Sequence, residues 1–562
     1  MGNRRSLAST SEHTRRGSFA ALATQTREVS PARPTPHARA YAVSAVEPGR
    51  KWFWPGVGGL TAAVAVFLLA RLTAWPPHED ETLALFVGRE SLPDLFQTVQ
   101  GERGGAPLHF LFAWLVVHMG GGLEALRTFS ALFAVASVPL IAALGARVAG
   151  RVAALVATAL VSASWMLLFH GVYGRMYSLF LFTSTLSYLA LLRAVERGGR
   201  RAWVLWGGAM LLTIAAHPYG ALVLASQGLY VLARARTREA IVALCVVSLL
   251  GTPFWYSDLV LAGRFEVGVG GGGKKLVGPL AVFDYLAHVA GDFTAGFTIA
   301  LGAVLILAAI GAWRLWVENR TGAILTACVI VVPLLALTVA DLGDSTSPES
   351  RHLVFALPFF AYLVALGLIE SARGRLSLLV AMTCVLVAAE VAWGWDKTPP
   401  LYKGESATRI EARNAASAWL ASDARSDDVL FGYEPVYLGA WERDRAGFSK
   451  TVIPRADANL ALKVLRRTPA LGRGVWVFDA SDTNNFTQSM EIPLRFPTRK
   501  HRFEARVFGP FLVIRSKEPT GTPKQFLEQA RAAELVGKSL YIGDADINLV
   551  TIDRAIARLD RD

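Results

Sequence analysis

The chain has 562 residues, is 53% hydrophobic and only 18% charged, and carries a formal net charge of +13. Soluble proteins carry about a quarter charged residues, so the water-soluble globular class is excluded; the basic residues, gathered in short breaks between apolar runs, read as an orientation signal and not as a nucleic-acid surface. Three cysteines (Cys245, Cys328 and Cys384), all within apolar runs and without metal-ligand spacing, exclude a disulfide framework and a cysteine-based zinc site.

Residues 1–51 are rich in Ser, Thr, Pro and Ala, with nine Lys/Arg against three acids. This composition predicts a disordered basic tail. The first apolar segment starts too late and is too long for a secretory signal, so the tail is expected in the cytoplasm, with 53–75 crossing outward. The alternation of the loops described next places further crossings near 127–144, 152–170, 176–193, 202–217, 220–233, 240–261, 297–317, 321–340, 352–370 and 376–395. Basic clusters at Arg147/Arg151, Arg193–Arg201, Arg234–Arg238, Arg314/Arg320 and Arg373/Arg375 mark cytoplasmic loops. Loops poorer in Arg, at 170–176, 217–220, 263–296 and 341–351, are then external. The apolar segment 107–122 (PLHFLFAWLVVHMGGG) breaks the alternation: a full crossing there inverts every later loop. Being short as well, it reads as re-entrant or interfacial, and the expected bundle has eleven to thirteen helices.

From about 396 charge and proline rise. DDVLFGY (427–433), GVWVFDAS (474–481) and ARVFGPFLVIRS (505–516) read as strands, 406–423 and 523–536 as amphipathic helices. The expected fold class is an α-helical polytopic membrane protein with a C-terminal soluble α/β domain, divided as tail 1–51, membrane domain 52–395 and external domain 396–562.

This topology sends the unusual polar residues to one side. His78, Glu79, Asp80 and Glu81 follow the first crossing; Arg175 and Tyr177 lie in HGVYGRMYSLF, His217 and Tyr219 in AAHPYGA, Arg351 and His352 in SPESRHLVFALPFF. Ionisable residues at membrane depth are costly and usually functional. A carboxylate with several cations suits glycosyl transfer from a polyprenyl-phosphate sugar: arginines hold and stabilise the departing phosphate, and a carboxylate such as Asp80 takes the acceptor's proton. The competing reading is plainer: acids that solvate a loop, Arg175 marking a helix end, His217-Pro218 terminating a helix, and Arg351 balancing Asp341, Asp344 and Glu349. His109, His118 and His170 read as packing residues. The glycine run before Lys274/Lys275 lacks the strand, spacing and Ser/Thr of a phosphate loop.

In this order the pieces resemble the GT-C superfamily of membrane glycosyltransferases, and within it the family 39/83 group that includes protein O-mannosyltransferases and aminoarabinose transferases. The resemblance covers roughly 53–395 and rests on Asp80-Glu81, the Pro-led segment Pro107–Gly122, Leu126-Arg127-Thr128-Phe129-Ser130, Arg175-Met176-Tyr177, and Arg351-His352-Leu353 with Pro358. It implies a GT-C-like bundle, Asp80 as the base that activates the acceptor and Glu81 in support; its motifs also contain Arg175, Tyr177, Arg351 and His352, which with His217 and Tyr219 from the one-sided polar set are the candidates for holding the donor phosphate and substrate, and His352 stands where Tyr is usual. Some relatives need no metal and others use a divalent ion. His78 and Glu79 offer a metal a poor chelating pair, so no metal is assigned. The implied partners are a polyprenyl-phosphate sugar, a glycan, lipid or protein acceptor and membrane lipid, without nucleic acid, at the outer face of a bacterial cell membrane. The rivals are a flippase or transporter for a lipid-linked glycan, a glycan-chain ligase, and a catalytically silent assembly protein.

Overall fold

The computed structural model describes residues 50–264, 277–342, 348–455, 457–480, 503–540 and 545–561. The basic tail up to 49, the glycine run with Lys274/Lys275, and Asp344 lie outside them.

Each expected crossing falls on a helix, but fewer reach full span. Among the described residues seven helices are long and apolar enough to cross a membrane: Lys51–Ala70, Leu123–Val148, Tyr177–Arg197, Thr298–Glu318, Arg320–Val339, Ser350–Ser371 and Leu376–Lys397. An eighth is broken, with Arg238–Leu250 and Thr252–Ala262 meeting at 53°. Pro253, which has no N–H to continue the ladder, opens its second half. The runs at 152–170, 202–217 and 220–233 form the shorter helices Arg151–Ala163, Arg200–Ala216 and Gly220–Arg234 of 13, 17 and 15 residues. At 1.5 Å per residue these reach roughly 20–26 Å against about 30 Å of hydrocarbon, so the count by length is below the eleven to thirteen expected. The segment at 107–122 is a 12-residue helix, Pro107–His118, too short to cross alone. A further helix, Pro279–Phe293, fills what the sequence presents as an external loop.

Small residues set the closest crossing in the bundle. Gly311 of Thr298–Glu318 and Gly367 of Leu357–Ser371 face each other's helix so closely that a Cβ on either would collide with backbone of the other. This is the small-residue packing that lets membrane helices approach without a hydrophobic driving force. Around it Tyr188, Trp206, Tyr362 and Phe359 fill the buried core.

The C-terminal residues form a five-stranded sheet from β1 (Val429–Phe431), β2 (Thr451–Ile453), β3 (Gly474–Asp479), β4 (Phe503–Phe508) and β5 (Phe511–Ser516), in the order β2-β1-β3-β5-β4. β1 is parallel to β2 and β3, joined through the helices Pro435–Arg443 and Ala458–Arg467, while β3, β5 and β4 pair antiparallel. β4 and β5 meet at a two-residue loop whose Gly509 takes φ 54°, the positive value such a hairpin needs at its first position. Expected strands and helices here are present; the segment 505–516 is two strands instead of one because Gly509-Pro510 turns it. Helices Ala407–Ser422 and Pro523–Ser539 cover the sheet. One side of the sheet packs on the first loop: Leu85, Phe86, Ala113 and Val116 share a hydrophobic cluster with Leu420, Tyr437, Trp441 and Val475. The sheet therefore braces the helix that carries the acidic run.

Candidate active site

The helix Glu79–Val87, which follows the first of the long apolar helices, begins with its own cap. His78 Nδ1 accepts the Asp80 N–H at 3.1 Å and the His78 N–H donates to Glu81 Oε2 at 3.1 Å, a reciprocal capping box. Three successive acids then occupy the first turn, where the helix's positive end favours them. Successive residues point about 100° apart, so the three carboxylates go to three different places.

Glu81 goes inward and is completely buried. Its Oε1 accepts from Arg127 Nε at 2.8 Å and from the Gly174 N–H at 2.8 Å, and its Oε2 from Arg127 Nη2 at 2.7 Å. Arg127 spends its remaining donors on the carbonyls of Leu72, Trp75 and Pro76 at 2.8–2.9 Å. Burial alone would raise the Glu81 carboxyl, but the Arg127 guanidinium and the Gly174 N–H hold it below the usual range. Glu81 thus fastens the loop after the first crossing to the helix Leu123–Val148 and the loop at 174. Both of its oxygens are engaged by these contacts and by the His78 N–H.

Glu79 turns to the C-terminal residues, where Arg455 Nη2 donates to its Oε2 at 2.8 Å while Nη1 holds Glu434 Oε1 at 2.5 Å. Asp80 faces the bundle. It pairs with the Arg175 guanidinium, lies 3.5 Å from His78 Nδ1, and keeps 31% of its side chain exposed.

Arg175 and Arg351 flank the ring of Tyr177, with guanidinium carbons 5.7 and 5.0 Å from its centroid. Arg351 is anchored by Glu349 at 2.7 Å. The Tyr177 hydroxyl is 3.4 Å from His352 Nε2 and the two rings stack at 5.7 Å. His217 ends the helix Arg200–Ala216; its Nδ1 accepts the Tyr219 N–H at 3.0 Å, and its ring lies 5.3 Å from His352. The Tyr219 ring lies 5.4 Å from His352. All of Asp80, Arg175, Tyr177, His217, Tyr219, Arg351 and His352 are therefore joined in one continuous cluster, assembled from four loops at one end of the bundle. Asp80, Arg175 and Arg351, with 31%, 15% and 20% side-chain exposure, form its open face, whereas His217 is buried behind Tyr177.

Sequence reasoning missed Arg455, which lies 376 residues from its partner Glu79, and the role of Arg127, although the motif containing it was visible. Among the described residues no group of three or more His, Cys, Asp or Glu could hold a metal ion. His78 Nδ1 is engaged in the cap and Glu79 Oε2 with Arg455.

Partial burial and the neighbouring Arg175 lower the His78 imidazole to about 4. A lowered imidazole means that the unfolded chain takes up the proton first, so its stabilising contribution is complete above about 6.5 and is lost as pH falls toward 4. Thermal unfolding midpoints should fall across that window, and His78→Asn, which keeps a capping oxygen but cannot titrate, should flatten the fall. An unchanged slope in the variant removes His78 as its source.

No family model matches the sequence, and no curated protein does. Solved folds do. ArnT from Cupriavidus metallidurans, crystallised bound to undecaprenyl phosphate, aligns with a TM-score of 0.50 at 13% identity, over 83% of this chain and 98% of that one. Arabinofuranosyltransferase AftD from Mycobacteria aligns at 0.49 and 14% identity, over 83% of this chain and 40% of that one. The oligosaccharyltransferase of Archaeoglobus fulgidus in complex with zinc and sulfate gives 0.43 and 10%, over 74% and 67%. The ArnT alignment, nearly complete on that side, shows that the chain shares the fold of that structure.

Proposed function

We propose that this protein is a glycosyltransferase that moves a sugar from a polyprenyl-phosphate carrier to an acceptor hydroxyl at the extracytoplasmic face of the membrane. The observation that carries the reading is the open cluster in which one carboxylate, Asp80, faces two arginines that bracket a tyrosine ring. The ArnT of the same fold was crystallised with undecaprenyl phosphate, the product such a reaction leaves behind.

In this reading the acceptor oxygen attacks the anomeric carbon, and Asp80 takes the hydroxyl proton. The bond from that carbon to the phosphate oxygen breaks with its electron pair on the phosphate, which passes from a singly charged diester to a monoester. Arg175 and Arg351 meet the added charge as it forms, which is where a fixed cation lowers a barrier most. Asp80 and Arg175 neutralise each other until donor binds. Donor phosphate draws Arg175 away and leaves Asp80 a better base. The C-terminal sheet, gripping Glu79 through Arg455, holds this turn of helix in place beside the acceptor.

Purified protein incubated with a panel of polyprenyl-phosphate sugars should release polyprenyl phosphate with one of them; no release from any member of a broad panel sinks the reading. Arg351→Ala should raise the donor KM or lower kcat/KM by at least about tenfold, and Arg351→Lys by less, because lysine keeps the charge but loses the planar fork. Equal, negligible losses would make Arg351 a structural residue that only balances Glu349.

A further inference from the structure

Beside the cluster lies a second charged group that the reaction above leaves unused. Asp292, near the end of the helix Pro279–Phe293, has no exposed surface. One of its oxygens is taken by the Ser350 hydroxyl and the other by the Lys397 ammonium. Ser350 immediately precedes Arg351, and Lys397 is the last residue of the helix Leu376–Lys397. One buried carboxylate thus ties the segment carrying a proposed phosphate anchor to a lysine from a different helix.

The space between the lysine and the cluster is aromatic with polar centres. Lys397 Nζ sits 4.5 Å from the Trp165 ring centroid. That ring is 4.8 Å from His170, which is 5.5 Å from Tyr177, the ring under Arg351. His170 is 3% exposed, and neither of its ring nitrogens has a hydrogen-bond partner. A buried imidazole with both nitrogens idle is costly unless something polar reaches it, and His170 lies within electrostatic reach of both Arg351 and Lys397. The lysine keeps 24% of its side chain exposed while its partner carboxylate keeps 1%. The cation therefore has an open side, and the carboxylate has none.

We propose that Lys397 is a third cation for the donor's phosphate, held on Asp292 until the carrier binds and then transferred to the lipid phosphate, with His170 facing the same head group. The inference rests on the polyprenyl-phosphate reading and adds a residue to it. Three cations from three separate segments of the chain would surround the phosphate as its charge rises, and Asp292 would act as the internal anion that the phosphate displaces. Competition of this kind has a signature that a merely structural ion pair lacks: removing the cation and removing the anion change affinity in opposite directions.

The test uses the full chain in lipid nanodiscs and measures binding of geranylgeranyl phosphate, with geranylgeraniol as the uncharged control. Lys397→Met should weaken phosphate binding by about tenfold or more, the scale of one lost charge-assisted contact, without changing binding of the alcohol. Lys397→Arg should restore most of the loss. Asp292→Asn should leave phosphate binding as tight as in the parent or tighter, because the lysine no longer has a competing anion. Parent protein that binds the phosphate no better than the alcohol would overturn the functional reading, and this inference with it. Parent protein that binds the phosphate while Lys397→Met binds equally well would overturn this inference alone. Weakening by Asp292→Asn to the same extent as by Lys397→Met would also overturn it, leaving a structural pair.

Discussion

Asp80→Asn is expected to lower kcat for sugar transfer by about a hundredfold to ten-thousandfold, the range a positioned general base supplies, while the protein still inserts, purifies and binds donor. The substitution is close to isosteric. Asp80 sits in the first turn with part of its side chain exposed, so the amide that replaces it is not stranded in the interior. The helix keeps the His78 cap, the Glu81–Arg127 pair and the Glu79–Arg455 pair. Arg175, relieved of its carboxylate, should hold donor phosphate at least as well as before. The signature is thus a fall in kcat with polyprenyl-phosphate affinity unchanged or improved, read from steady-state transfer and from lipid-phosphate binding on one preparation. A variant that keeps full turnover would end the assignment of the base. One that loses turnover and affinity together would point to a damaged site.

The sequence was most informative where a one-dimensional signal has a local physical cause. Long apolar runs follow from the lipid that surrounds a spanning helix, and each predicted crossing coincides with a helical segment. They say little about span length, because a bundle can shelter helices such as Arg151–Ala163 that are too short to cross lipid unaided. The strand Thr451–Ile453 and the helix Pro279–Phe293 escaped notice: three residues make no alternating pattern, and a 15-residue amphipathic helix within a loop resembles a loop by charge.

Within the site, the gathering of four loops was legible as polar residues that one topology sends to one side. The division of labour among Glu79, Asp80 and Glu81 was not. It depends on what each carboxylate meets a hundred degrees around the helix. Those partners come from Arg455, Arg175 and Arg127, up to 376 residues away. Asp292 and Lys397 were hidden for the same reason, each looking like an ordinary end-of-helix charge until the fold brought them together.

Arg127→Met should be the most damaging single substitution for stability. It removes the partner of a carboxylate with no exposure and strips donors from three carbonyls at once. Breaking a buried pair from one side costs about 3–5 kcal/mol, because the remaining charge is stranded where water cannot reach it. That is a large part of the margin of a typical folded protein, about 5–15 kcal/mol, so we expect a large drop in the thermal midpoint and poor recovery of monodisperse protein. Glu81→Gln should cost less, since a neutral amide can still accept from Arg127 and from the Gly174 N–H, though the arginine then loses its counter-charge. The double variant Glu81→Gln/Arg127→Met should be more stable than Arg127→Met alone, because it leaves no buried carboxylate to compensate. Unfolding midpoints of the three variants in one detergent settle the point. A double variant no better than Arg127→Met would mean that the lost carbonyl contacts, and not the stranded Glu81 charge, set the cost. A stable and fully active Arg127→Met would mean that the acidic turn is held by the sheet through Arg455 instead.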